Sequence, residues 1–188
     1  TANAFLLRGA KLKFADVNLN DMNIDPKKVE KLITKKTKAI VLVHYAGSPC
    51  DMDNFRKLEK KYSIPIIEDA AQALGAKYNN KFLGTFSKFS ALSFHESKNI
   101  TSGEGGALII NDKQYIKQAS YIINKGTNRE EFNNKLKKKY TWVSVGSSYV
   151  LSELNSSILY AQLQKLKNIN FRRKKIWKKY NENFQVLE

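Results

Sequence analysis

The run Ala39-Ile40-Val41-Leu42-Val43 leaves a chain few ways to fold. It is too short and too rich in β-branched residues for a core helix, and it lacks the polar alternation of a half-solvated strand. It therefore reads as a strand buried on both faces. A second such segment, Ile64-Pro65-Ile66-Ile67, follows after residues 53–62, where Phe55, Leu58 and Tyr62 recur at helical spacing. Strand, helix and strand in this order imply a right-handed crossover between parallel strands, with ligands gathering beyond the strands' C-terminal ends. Asp69 stands at such an end.

The flanking sequence extends the alternation. Residues 11–15 can form a strand, and Asp25 before Pro26 reads as an N-cap followed by the first helical position, the helix continuing through Val29 and Ile33. Downstream, the Asn79-Asn80 turn and Gly84 precede a strand at 89–94 that delivers Ser93 and Lys98 into the next loop. Gly103-Glu104-Gly105-Gly106 allows positive φ or a close backbone approach before a strand at 107–110, which ends in the turn Asn111-Asp112. Helices are predicted over 113–124, 152–166 and 171–184.

A chain of 188 residues with 42% hydrophobic and 11% aromatic content can bury one core and is not composed like a disordered segment. The net charge of +16 raises nucleic acid or an anionic membrane as a partner. Yet the lysines are scattered among Asn and Ile. The clusters at Lys137, Lys138 and Lys139 and at Arg172, Arg173, Lys174 and Lys175 read as solvated helix faces without a nucleic-acid recognition motif. A lysine- and asparagine-rich coding bias is the preferred explanation, ahead of a basic nucleic-acid-binding module. No apolar run reaches membrane-spanning length and no signal-peptide pattern opens the chain, so a cytoplasmic location is expected. Cys50 is the single cysteine, without a CxxC partner, and is expected to pack as a small apolar residue.

The chemistry is concentrated in Asp69-Ala70-Ala71-Gln72 and Ser93-Phe94-His95-Glu96-Ser97-Lys98. A lysine amine forms a Schiff base with an aldehyde once it is a neutral nucleophile. A carboxylate aimed at a pyridine nitrogen keeps that ring protonated and able to accept electrons. Together with the amide and the hydroxyl these groups suit pyridoxal 5'-phosphate. Each residue also has a plainer reading: Asp69 as the cap of the turn at Ala70, Ser93 as a strand-end hydroxyl satisfying the backbone, Lys98 as a solvated lysine. His95-Glu96 would need a histidine where Asn99 stands to match HEXXH, so no metal is expected, and His44 and His95 read as structural histidines.

The runs VHYAGSPCDMD, EDAAQALGAKY, SFHESKN, SGEGGALIIND, KGTNR, YTW and GSSYVLSEL closely resemble the sugar-nucleotide aminotransferases of the DegT/DnrJ/EryC1/StrS type, in the fold-type I pyridoxal phosphate class. The resemblance runs from Thr1 to about Phe184. It implies a three-layer α-β-α large domain with a mainly parallel sheet, incomplete at both ends. Residues 1–170 would be part of the cofactor-binding domain, and residues 171–188 the start of the helix leading to a small domain.

It also implies roles. Lys98 would be the Schiff-base lysine and acid/base, Asp69 the partner of the ring nitrogen, Gln72 that of the phenolic oxygen, and Ser93 that of the phosphate. Ser148 stands where many relatives carry an Asn that reaches the neighbouring subunit's cofactor. Arg129 could meet the diphosphate of a nucleotide sugar, since Arg forms forked bonds to phosphate oxygens, or stand in a solvent-facing loop, and Tyr140 and Trp142 fit a sugar platform or core packing. Within the family the resemblance is to the enzymes that aminate dTDP-4-dehydro-6-deoxyglucose, with glutamate as donor, for enterobacterial common antigen-type surface polysaccharide, as homodimers. The 188 residues correspond to the central half of such an enzyme, without the upstream phosphate loop and the downstream small domain, and are expected to be inactive alone. A truncated, non-catalytic remnant is the competing reading. A related dehydratase is disfavoured because it carries a histidine where Lys98 stands.

Overall fold

A computed structural model describes residues 1–185; residues 186–188, the end of the expected connecting segment, lie outside the described residues. A short helix α1 (Ala2–Leu6) opens the chain. In α2 (Pro26–Leu32), Asp25 accepts the Lys27 N–H as N-cap and Pro26 occupies the first turn, and Ile33 is already extended. Next come β1 (Ile40–Val43), α3 (Met52–Tyr62) and β2 (Ile66–Asp69). Asp51 caps α3 by accepting the Asn54 N–H, and Ser63 ends it in the left-handed region. A small hairpin of β3 (Lys77–Tyr78) and β4 (Lys81–Phe82) turns on Asn79 and Asn80, both at positive φ. The sheet is completed by β5 (Phe89–Ser93) and β6 (Gly106–Ile110). Helices α4 (Ile116–Ile123), α5 (Arg129–Asn133), α6 (Glu153–Gln164) and α7 (Leu166–Phe184) follow.

The architecture is α/β. Four strands pair in the order β1-β2-β5-β6, the first three parallel and β6 antiparallel to β5. Ile40 lies opposite Ile66 and Leu42 opposite Glu68. Ile40, Leu42 and Ile66 form one core with Val29, Cys50, Met52, Phe55, Leu58 and Ile64, so α2 and α3 cover one side of the sheet. Cys50 is part of that core, its thiol donating to the Val43 carbonyl, and burial pushes the thiol's pKa up to about 12.

Three local expectations are corrected. Burial alternates along β1 and β2, because only the Ile40, Leu42 and Ile66 side meets the helical layer; Val41, Val43, Ile67 and Asp69 stay half-buried. Residues 11–15 form no strand. No neighbouring strand takes up their backbone groups among the described residues, and only Val17 makes a bridge, to Ile24. The helix predicted from 113 starts with a tight 3₁₀ turn at Lys113–Tyr115, and α7 begins at Leu166 rather than Phe171, separated from α6 by Lys165. Among the described residues no helix is long and apolar enough to cross a membrane.

Candidate active site

Parallel pairing of β2 with β5 sets Asp69 opposite Ala91. Side chains alternate along a strand, so Ser93, two residues past Ala91 and the last of β5, lies on the same face as Asp69. The Asp69 carboxylate accepts the Ala71 N–H at 3.1 Å through Oδ1, and the Thr1 hydroxyl donates to Oδ2. Thr1 is the N-cap residue of α1, but its side chain makes no capping bond. The Thr1 contact was not foreseen. The only signal for it is a capping-type residue ahead of a short helix.

Asp69 does hold the turn that follows, as its plainer reading has it. That turn is not a helix, so Gln72 does not stand one helical turn beyond Asp69. Gln72 is held differently: its Oε1 accepts the Ala46 N–H at 2.6 Å. The two segments meet closely at Gly47, which lies at φ +80 and where an added Cβ would stand 2.9 Å from the Gln72 carbonyl oxygen. Only glycine fits that approach without moving backbone.

Lys98 lies in the loop joining β5 to β6. The neck of this loop is closed by the Phe94 N–H donating to the Gly105 carbonyl at 2.8 Å, and by the Ser102 N–H and Thr101 hydroxyl donating to the Phe94 carbonyl. Phe94, Ile100 and Ser102 are buried and anchor it. Gly103 and Gly105 take positive φ, as the glycine run suggests. Lys98 donates its backbone N–H to the His95 carbonyl, is half-buried, and makes no side-chain hydrogen bond or ion pair among the described residues. The half-exposed His95 takes the Ser97 N–H on Nδ1 and has its Nε2 3.6 Å from Glu104.

A fully buried polar network lies on the covered side of the sheet. Glu68 Oε2 receives the Gly84 N–H at 2.6 Å and lies 3.1 Å from His44 Nε2; Oε1 receives the Phe86 N–H, the Ser87 N–H and the Ser87 hydroxyl, each at 2.8 Å. Burial pushes the Glu68 pKa up, but the bonds from His44, Ser87 and Gly84 outweigh it and hold the carboxyl below the ordinary range. His44 Nδ1 accepts the Cys50 N–H at 3.2 Å, so the ring proton is on Nε2, facing Glu68. Glu68 was not singled out by its sequence; as the middle of an apolar strand interrupted by a carboxylate, Ile66-Ile67-Glu68, it carried a usable signal.

The outlying candidates stand on later elements, from α5 to the segment before α6. Asn128, the buried N-cap position of α5, makes no cap; its side chain donates to the Lys139 carbonyl at 2.9 Å and accepts the Thr141 N–H at 2.8 Å, clamping the Tyr140-Thr141-Trp142 loop. Tyr140 and Trp142 are exposed, Tyr140 tilted against Phe132 at a 6.0 Å centroid distance. Arg129 is exposed, and Ser148 is exposed in a bridge with Asn124. No hydrogen bond joins Arg129, Tyr140, Trp142 or Ser148 to Asp69, Ser93 or Lys98. An apolar groove of about 560 Å³ between β6 and α4 is lined by residues such as Phe89, Leu108 and Tyr149 and by none of Asp69, Gln72, Ser93 and Lys98.

The whole chain, residues 1–188, matches the DegT/DnrJ/EryC1/StrS aminotransferase family. It is 36% identical over 192 residues to the UDP-4-amino-4,6-dideoxy-N-acetyl-beta-L-altrosamine transaminase of Campylobacter jejuni, covering 98% of this chain and 48% of that protein. Among solved structures it is similar to Helicobacter pylori PseC, an aminotransferase involved in the biosynthesis of pseudoaminic acid, with a TM-score of 0.88 and 35% identity over 98% of this chain and 48% of that one. A Streptococcus pneumoniae protein described as a sugar aminotransferase, solved in a PLP-form and a PMP-form, gives a TM-score of 0.88 at 25% identity in the first form, over 98% of this chain and 50% of that one. The chain spans about half the length of the curated relatives it matches. With an incomplete α/β fold of this kind and a match along its full length, the chain belongs to the DegT/DnrJ/EryC1/StrS aminotransferase family.

Proposed function

We propose that this chain is the cofactor-binding part of a pyridoxal phosphate-dependent transaminase acting on a nucleotide-linked keto sugar. The observation that supports the reading is the placement of Asp69 and Ser93 at the C-terminal ends of adjacent parallel strands, with Gln72 in the turn after the first and Lys98 in the loop that leaves the second. The donor set suits the cofactor: a carboxylate for a ring nitrogen, amide hydrogens for a phenolic oxygen, a hydroxyl for a phosphate, and an amine without a competing partner. When bound, pyridoxal phosphate supplies an aldehyde for amine exchange and a ring that takes up electrons released at the substrate carbon. With the group in place, the Asp69 carboxylate would pair with the ring nitrogen and keep it protonated, Gln72 and Ser93 would hold the phenolic oxygen and the phosphate, and the Lys98 amine would anchor the group and serve as the acid/base.

Glutamate as donor, dTDP-4-dehydro-6-deoxyglucose as acceptor, a place in enterobacterial common antigen-type polysaccharide synthesis, a homodimer and a cytoplasmic setting belong to this proposal. So do Arg129, Tyr140, Trp142 and Ser148 as outer contacts, and the division at residue 170, which falls inside α7. The Campylobacter relative is named for a UDP-linked sugar, so the nucleotide is the part to test first. Expressed with its adjoining coding sequence and supplied with cofactor, the protein should absorb in the visible region and aminate the keto sugar; Lys98→Ala should remove the band and lower turnover by about 10²–10⁴-fold. An unchanged band in that variant reassigns the lysine. Turnover of UDP-linked sugars alone replaces the nucleotide, and a protein without any band supports the non-catalytic reading.

A further inference from the structure

Glu68 and His44 do not reach the open face, yet they are bonded to the segment that sets Gln72. The link is the loop from His44 to Cys50. Its 3₁₀ turn at Tyr45–Gly47 places Ala46 at φ 53, where the Ala46 N–H meets Gln72 Oε1. Because that bond engages the amide oxygen, the Gln72 NH₂, which makes no hydrogen bond among the described residues, remains available as a donor. The loop is closed by the Gly47 N–H on the His44 carbonyl at 3.1 Å and the Cys50 N–H on His44 Nδ1 at 3.2 Å. Asn23, also buried, grips it from the other side, accepting the Tyr45 N–H and donating to the Ser48 and Pro49 carbonyls. The backbone N–H of His44 donates to the Asp69 carbonyl at 3.1 Å, tying the same loop to the end of β2.

We propose that the buried Glu68–His44 pair is a positioning element for Gln72. By keeping the histidine proton on Nε2, Glu68 leaves Nδ1 free to hold the Cys50 N–H; this closes the 44–50 loop and aims the Ala46 N–H, which fixes the orientation of the Gln72 amide. Gln72 matters to catalysis only through the cofactor role proposed above, so the functional consequence rests on that reading while the structural link does not.

The test uses the full chain without cofactor, observed by nitrogen NMR and amide exchange. In the wild type, His44 should carry its proton on Nε2, with Nδ1 unprotonated. Glu68→Gln places an amide where the carboxylate receives that proton. It should shift His44 toward the Nδ1-protonated form, speed Ala46 amide exchange by about tenfold, the loss of one hydrogen bond, and move the Gln72 NH₂ signals, with Ile40 and Ile66 exchange unchanged. A wild-type His44 protonated on Nδ1 overturns the proposal. So does a Glu68→Gln protein in which Ala46 keeps its protection, or in which Ala46 and Ile40 accelerate alike. Should that variant not fold, Gln72→Leu at an exposed position gives the check: Ala46 protection must fall by the same factor with the His44 tautomer intact, and unchanged protection sinks the idea. Absence of a Lys98-dependent band on adding pyridoxal phosphate to the longer protein would reject the cofactor reading alone.

Discussion

The segment from α2 to β2 and the segment from α5 to α7 are built from similar materials and end up very differently packed. In the first, Val29, Leu42, Phe55, Leu58 and Ile66 are buried together. In the second no helix contains a buried residue, and Trp142, Leu154 and Trp177 are 81%, 77% and 66% exposed. Apolar side chains recur along the helices of both, most regularly in α3. What differs is a partner: β1 and β2 offer α3 a flat apolar surface at their register positions, whereas the described residues offer α6 and α7 none of comparable extent. Order in the second segment comes instead from local hydrogen bonds, the Asn128 clamp and the Ser152 cap among them. Amphipathic pattern decides which face a helix has to bury, and tertiary context decides whether it does.

Substitutions can break or sharpen this contrast. Phe55→Ala empties a fully buried site and should destabilise the chain by about 3–5 kcal/mol, measured as a shift of the urea midpoint. A cost under about 1 kcal/mol would mean that the α3 layer is not the core. Asn128→Ala removes a donor and an acceptor from a buried position and should cost about 1–3 kcal/mol, with proteolytic cutting near Lys139 rising before the β1–β2 region opens. Simultaneous loss of both regions would show that they form one cooperative unit. Trp177→Ala, despite deleting the largest side chain of α7, should change stability by no more than about 0.5 kcal/mol in the same assay. A larger cost would show that α7 buries this residue in solution, in a further assembly for instance, and would end the contrast.

How much of this was legible beforehand differs from residue to residue. Asp25-Pro26 and the Asn79-Asn80 turn are local devices whose geometry depends on a few neighbours, and both are where the sequence places them. Helix limits were less so: α7 reaches back to Leu166 because nothing in Leu-Lys-Asn-Ile-Asn stops a helix once α6 has turned at Lys165. The strand expected at 11–15 failed for the opposite reason, since a strand exists only through its neighbour.

The candidate site divides along the same line. That Asp69 ends a parallel strand and that Ser93 and Lys98 follow another is a matter of apolar runs and chain order, which the sequence by itself determined. That Asp69 and Ser93 share one face depends on the register Asp69 to Ala91, and how the Gln72 amide is held depends on an Ala46 N–H far away in the chain. Glu68 and His44, separated by a helix in sequence, become partners only because β1 and β2 lie side by side. Local sequence sets backbone propensities and the order of chemical groups along the chain. Only tertiary structure brings donors and acceptors from different segments within 3 Å or so of each other, the range at which a hydrogen bond acts.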